Sequence, residues 1–221
     1  SWAQGIANRP LEIMSIVIRV TFPAFSRLQH DKDALKGIVE KALFLTGSLL
    51  YPILFGILAV LPIFIEVMGK QKFQPTMHLI YIFTFASFWA IPSTTFTNVL
   101  NAVGKIKTTF KLMVMWVALS WLLIPILSIN FGVIGASLAY ALVGASSIVA
   151  IHIARKVVPF SISESITKPF FGAVIMGIIM LLVSNMVAKD IFGVFVVSFF
   201  GVISYLVASF LIIGRPIIDD A

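Results

Sequence analysis

Residues 169–213 read PFFGAVIMGIIMLLVSNMVAKDIFGVFVVSFFGVISYLVASFLII, two apolar runs separated by Ala188-Lys189-Asp190. Each run is long enough to cross a bilayer. Roughly 30 Å of hydrocarbon, at a rise of about 1.5 Å per residue, needs about 20 apolar residues. So short a connection forces the two helices to lie antiparallel and adjacent. The same pattern repeats toward the N-terminus. Spans are expected at about 5–25, 42–65, 77–100, 110–129, 133–153, 169–187 and 191–213. A turn of a few residues at Asn130-Phe131-Gly132 separates the fourth from the fifth. This predicts an all-α polytopic membrane bundle of about seven transmembrane helices, one transmembrane domain over residues 1–221. A membrane β-barrel is the other structure lipid allows, but its strands alternate in polarity and these segments are continuously apolar.

Composition agrees. The chain is 60% hydrophobic and 11% charged, with a mean hydropathy of +1.07, whereas soluble domains carry about 25% charged residues. A net charge of +7 raises the question of nucleic acid. The basic residues form no dense, aromatic-interleaved run, however, and sit at helix ends, so nucleic acid is not an expected partner. The absence of cysteine removes disulfides, thiolate catalysis and cysteine metal sites. Ser1-Trp2-Ala3-Gln4 lacks the Met and basic segment of a signal peptide.

Alternate connections divide the cations unequally. Arg27, Lys32, Lys36, Lys41, Lys105, Lys107, Lys111, Arg155, Lys156, Lys168 and Arg215 fall on one side, and Arg9, Lys70, Lys72 and Lys189 on the other. The positive-inside bias puts the C-terminus in the cytoplasm and the start of the chain outside, in a multi-pass protein of the plasma membrane. Pro52, Pro62, Pro92 and Pro125 interrupt the backbone ladder inside spans, as transporter helices do, although proline is frequent in membrane helices generally. Gly132, Ala136, Tyr140 and Gly144 recur every four residues in the fifth span, a spacing that lets helix backbones pack closely.

The first span is the most polar. Asn8, Glu12, Ser15 and Arg19 stand at spacings of four, three and four, which places them on one helix face. A charge in the bilayer centre costs about 2.5–3.5 kcal/mol on insertion scales, so such residues turn to the bundle interior or to water. Glu12 and Arg19 are two turns apart, about 10 Å along the axis, too far to pair easily. Two readings of Arg19 stay open: it snorkels to the headgroups, or it contacts an anionic head group in a hydrated cavity. Glu12 either escapes through an outward displacement of the span by Pro10 and Arg9 or, in the cavity reading, is protonatable through desolvation.

Thr94, Thr95, Thr97, Asn98 and Asn101 crowd one end of the third span, where capping and packing is the favoured reading over a cavity mouth. Glu66 reads as interfacial. His30, His78 and His152 are scattered without carboxylates at ligand spacing, so no metal site is expected. No phosphate loop, GxSxG or HExxH is present, and no catalytic residue is assigned.

Four segments carry a resemblance. Phe22-Pro23-Ala24-Phe25-Ser26 closes the polar first helix, and Asn101-Ala102-Val103-Gly104-Lys105 follows the third span. Gly132-Val133-Ile134-Gly135-Ala136 opens the fifth. The second span holds Pro52 and Gly56 and ends in Val67-Met68-Gly69, with Lys72-Phe73 beyond. In this order the chain resembles the polysaccharide (O-antigen, Wzx-type) flippases of the multidrug/oligosaccharidyl-lipid/polysaccharide exporter superfamily. The resemblance implies a two-lobed, fourteen-helix transporter of which these spans are helices eight to fourteen, with the N-terminal lobe missing. It implies alternating access around a cationic cavity and, as partners, membrane lipid and an oligosaccharide linked to polyprenyl diphosphate. No enzyme activity and no cofactor are implied, and coupling to a proton or sodium gradient is left open. The alternatives are a drug or metabolite antiporter of the same superfamily, or a polytopic polymerase or ligase of glycan assembly. Those enzymes need a sizeable external loop, and the outer connections here are short.

Overall fold

A computed structural model describes residues 2–67, 69 and 77–213, with the backbone alone at 2–4, 6–13, 15, 163 and 213. Seven α-helices account for nearly all of them: α1 (Trp2–Arg27), α2 (Lys32–Val67), α3 (Met77–Ala102), α4 (Ile106–Ala145), α5 (Ile148–Val157), α6 (Lys168–Ser184) and α7 (Ile191–Ile213). No strand occurs among the described residues. Exposed apolar side chains ring the outside, Trp121, Phe195 and Leu206 among them. An exterior this apolar is stable only in lipid. The chain is a polytopic membrane helical bundle.

The expected turn narrows to one residue within α4. Asn130 and Phe131 stay helical, and the break is confined to Gly132, at φ 60° and ψ −139°. Only glycine adopts that conformation without strain. The chain reverses there. Leu112 and Ala150 share one core cluster with Leu100, whereas an unbroken helix would hold the first two roughly 57 Å apart. Just past the reversal, a Cβ on Gly135 would overlap the Leu127 carbonyl oxygen, so the two arms of α4 meet backbone to backbone. Farther along, Gly144 approaches the backbone of Ala86 and Tyr140 packs edge-on against Phe83, 5.4 Å between centroids. The small-residue face of this arm is a packing surface against α3.

Helix α2 is longer than its apolar run. Its 36 residues extend roughly 54 Å, so the turns carrying Lys32, Lys36 and Lys41 stand beyond the hydrocarbon. Pro52 leaves an orphaned carbonyl that a neighbouring helix satisfies. Pro52 has no N–H for the carbonyl of Ser48, and Tyr205 of α7 donates its hydroxyl to that oxygen at 2.9 Å. A π-helical turn, Ser163–Thr167, precedes α6. Pro169 has no N–H for the carbonyl of Ser165 and would crowd it, and the wider turn carries that carbonyl away. Glu40 of α2 holds the chain entering this turn by accepting the Ser161 N–H at 2.6 Å.

Candidate functional site

Helix α1 packs along one face only. Met14 is buried with Leu50, Tyr51 and Leu54 of α2 and Ile91 of α3, and Phe25 with Leu35, Val39 and Phe96. Ile18 and Leu28 complete that face at helical spacing. Opposite it, Ile16, Arg19, Val20, Pro23 and Arg27 are exposed, Val20 to 74%. No element among the described residues covers that face.

Of the four expected site residues, all lie within the backbone of α1. The side chains of Asn8, Glu12 and Ser15 fall outside the described residues, so only Arg19 is placed. It is exposed, and no carboxylate pairs with it among the described residues. The packing of Met14 and Phe25 sets its depth. Arg19 lies level with about residues 44–46 of α2, just inside Lys41, the last charge before the apolar run. Pro23 adds a second polar group here, because its ring nitrogen has no hydrogen for the carbonyl of Arg19. The Phe22-Pro23 step thus puts a guanidinium and a carbonyl relieved of its helical donor on the same turn.

Three of the polar residues of α3 bond within their own helix. Thr94 donates to the Ala90 carbonyl at 2.8 Å, Thr97 to Thr94 at 2.9 Å and Asn98 to Thr94 at 2.7 Å. They satisfy their own helix, as the packing reading expects. Glu66 is paired with Lys189 at 2.9 Å, tying α2 to the α6–α7 turn. No group of three or more His, Asp or Glu side chains is clustered among the described residues.

Sequence reasoning missed a groove of about 510 Å³ between α2, α6 and α7, lined by Pro52, Gly56, Phe64, Met176, Met180 and Gly201 among others. Its lining is almost wholly apolar, with Ser198 the one hydroxyl. A Cβ at Gly56 would meet only the Met176 methyl, at 3.7 Å, whereas the space beside Gly201 is taken by Met180. The available signal was the Pro52…Gly56 spacing, but which helix faces those residues is decided only in three dimensions.

Residues 1–78, covering α1 and α2, match the polysaccharide biosynthesis protein family. Over 137 residues the chain is 26% identical to the lipopolysaccharide biosynthesis protein WzxC of Escherichia coli (strain K12), an alignment spanning 61% of this chain and 27% of that protein. Its fold matches the lipid II flippase MurJ in an inward closed conformation, with a TM-score of 0.66 at 16% identity over 94% of this chain and 46% of that one. The resemblance to the polysaccharide flippases holds. The chain spans less than half the length of the relatives it matches.

Proposed function

We propose that this chain is one lobe of a transporter that moves a lipid-linked oligosaccharide across the plasma membrane by alternating access. The observation that carries the reading is the open face of α1, where Arg19 stands exposed with no carboxylate paired to it among the described residues. Leaving a cation uncompensated near hydrocarbon is costly, and an anionic diphosphate passing along that face offsets the cost. The missing N-terminal lobe would close the opposite wall, with Asn8, Glu12 and Ser15 continuing the polar stripe. The apolar groove beside Pro52 and Gly56 extends roughly 18 Å along α2, a length suited to part of a prenyl tail. The basic end, by the positive-inside bias, is cytoplasmic, so the C-terminus lies inside and the start of the chain outside. A proton or sodium gradient drives the cycle, with Glu12 the candidate proton carrier.

The test uses the full-length protein in a host lacking its own polysaccharide flippase. Arg19→Gln is expected to cut surface glycan about tenfold or more at unchanged protein level, a loss of over ~1.4 kcal/mol of substrate binding or barrier lowering. Glu12→Gln is expected to flatten the pH dependence of transport. Full restoration of glycan by Arg19→Gln would remove the substrate role of this face.

A further inference from the structure

The basic end of the bundle is unevenly compensated. At the α1–α2 turn, Arg27, Lys32, Lys36 and Lys41 are interspersed with Asp31, Asp33 and Glu40. At the start of α6, Lys168 lies 3.7 Å from Glu164. No Asp or Glu occurs anywhere between Glu66 and Glu164. Yet the reversal at Gly132 brings two cationic segments of that stretch together, Lys105, Lys107 and Lys111 at the start of α4 and Arg155 and Lys156 at the end of α5. Leu112 and Ala150 pack with the same Leu100, so the two segments flank one end of α3. All five cations are exposed, and no carboxylate pairs with them among the described residues. The first turn of α4 carries no acid and its N-cap, Lys105, makes no side-chain bond. Cations at a helix N-terminus oppose the helix dipole, so the corner is short of negative charge twice over.

Apolar side chains stand directly beside these cations. Ile106, Phe110 and Val114 on α4 and Ile148 and Val149 on α5 are exposed, Phe110 to 65%. Positive charge above a lipid-facing apolar strip matches a phosphate head joined to acyl chains. A soluble anion or a polar protein surface would leave the strip unused.

We propose that the corner between the start of α4 and the end of α5 binds an anionic phospholipid of the adjacent leaflet, its phosphate among Lys107, Lys111, Arg155 and Lys156 and its chains along the apolar strip. The inference rests on the membrane setting alone and is independent of what the transporter carries. It is tested by purifying the full-length protein in detergent and adding phosphatidylglycerol or phosphatidylcholine with identical chains. Retained lipid is counted by native mass spectrometry. The wild type is expected to retain phosphatidylglycerol about tenfold better, with the preference fading as salt rises from about 0.05 to 0.5 M. The variant Lys107→Gln/Lys111→Gln/Arg155→Gln/Lys156→Gln is expected to lose the preference, retaining the two lipids about equally. Lys32→Gln/Lys36→Gln/Lys41→Gln, at the compensated corner, is expected to keep it. Equal retention of both lipids, a preference insensitive to salt, an equal loss in the second variant, or displacement of the lipid by inorganic phosphate at about 10 mM would each overturn the proposal. The salt series needs no variant, so a misfolded mutant leaves the test intact.

Discussion

Replacing Tyr205 with phenylalanine deletes one oxygen and strands another. In α2 the carbonyl of Ser48 would normally accept the N–H four residues on, but that residue is Pro52, and the Tyr205 hydroxyl serves instead at 2.9 Å. The ring stays packed against its neighbours in Tyr205→Phe, so the change isolates the hydrogen bond. An unsatisfied buried acceptor costs about 1–3 kcal/mol in soluble proteins, and hydrogen bonds between membrane helices average about 0.6 kcal/mol. A loss of about 0.6–2 kcal/mol is therefore expected. Pro52→Ala returns the missing N–H to the helix. In that background Tyr205→Phe should cost less, by about 0.5–1.5 kcal/mol, and this coupling is the signature of the mechanism. The assay is reversible unfolding of the full-length protein in bicelles for the wild type, both single variants and the double variant. Equal costs of Tyr205→Phe in the two backgrounds, within about 0.3 kcal/mol, would show that the hydroxyl does not replace the helical donor.

Other consequences follow from the same geometry. Gly132→Ala puts a Cβ where φ is 60°, and Gly135→Ala drives one into the Leu127 carbonyl. Each should cost about 1–3 kcal/mol, read as lost folded yield and a lower Tm. Glu40→Gln weakens a charge-assisted bond to the Ser161 N–H. Stability should fall by about 0.5–1.5 kcal/mol, with faster amide exchange confined to residues 161–167. Lys189→Met breaks the exposed pair with Glu66 and should change stability by less than about 1 kcal/mol. Gly56→Leu fills the α2–α6–α7 groove without meeting backbone, and is expected to slow transport of a long-tailed substrate more than a short-tailed one in reconstituted vesicles.

Much of this was legible from the order of residues. Span existence follows from apolar length, because lipid offers no other partner for backbone polar groups. The sorting of basic residues into alternate connections is read from the same spans, and spacing puts Asn8, Glu12, Ser15 and Arg19 on one face of α1, of which the side chain of Arg19 alone is described. The orphaned carbonyls of Ser48 and Arg19 are also implicit in Pro52 and Pro23, four residues on. Tertiary structure decided the rest. Tyr205 is far from Ser48 in sequence, so no local pattern names it as the replacement donor. The groove depends on Gly56 of α2, Met176 of α6 and Gly201 of α7 lining one space, across helices whose rotations are set by packing. The cations of α4 and α5, dispersed along the chain, become a single uncompensated corner only because one glycine folds the chain back on itself. Charge and hydropathy are local properties of a sequence, and they determined that this chain crosses a membrane. Which charges meet is a property of the fold, because it depends on helix contacts between residues far apart along the chain.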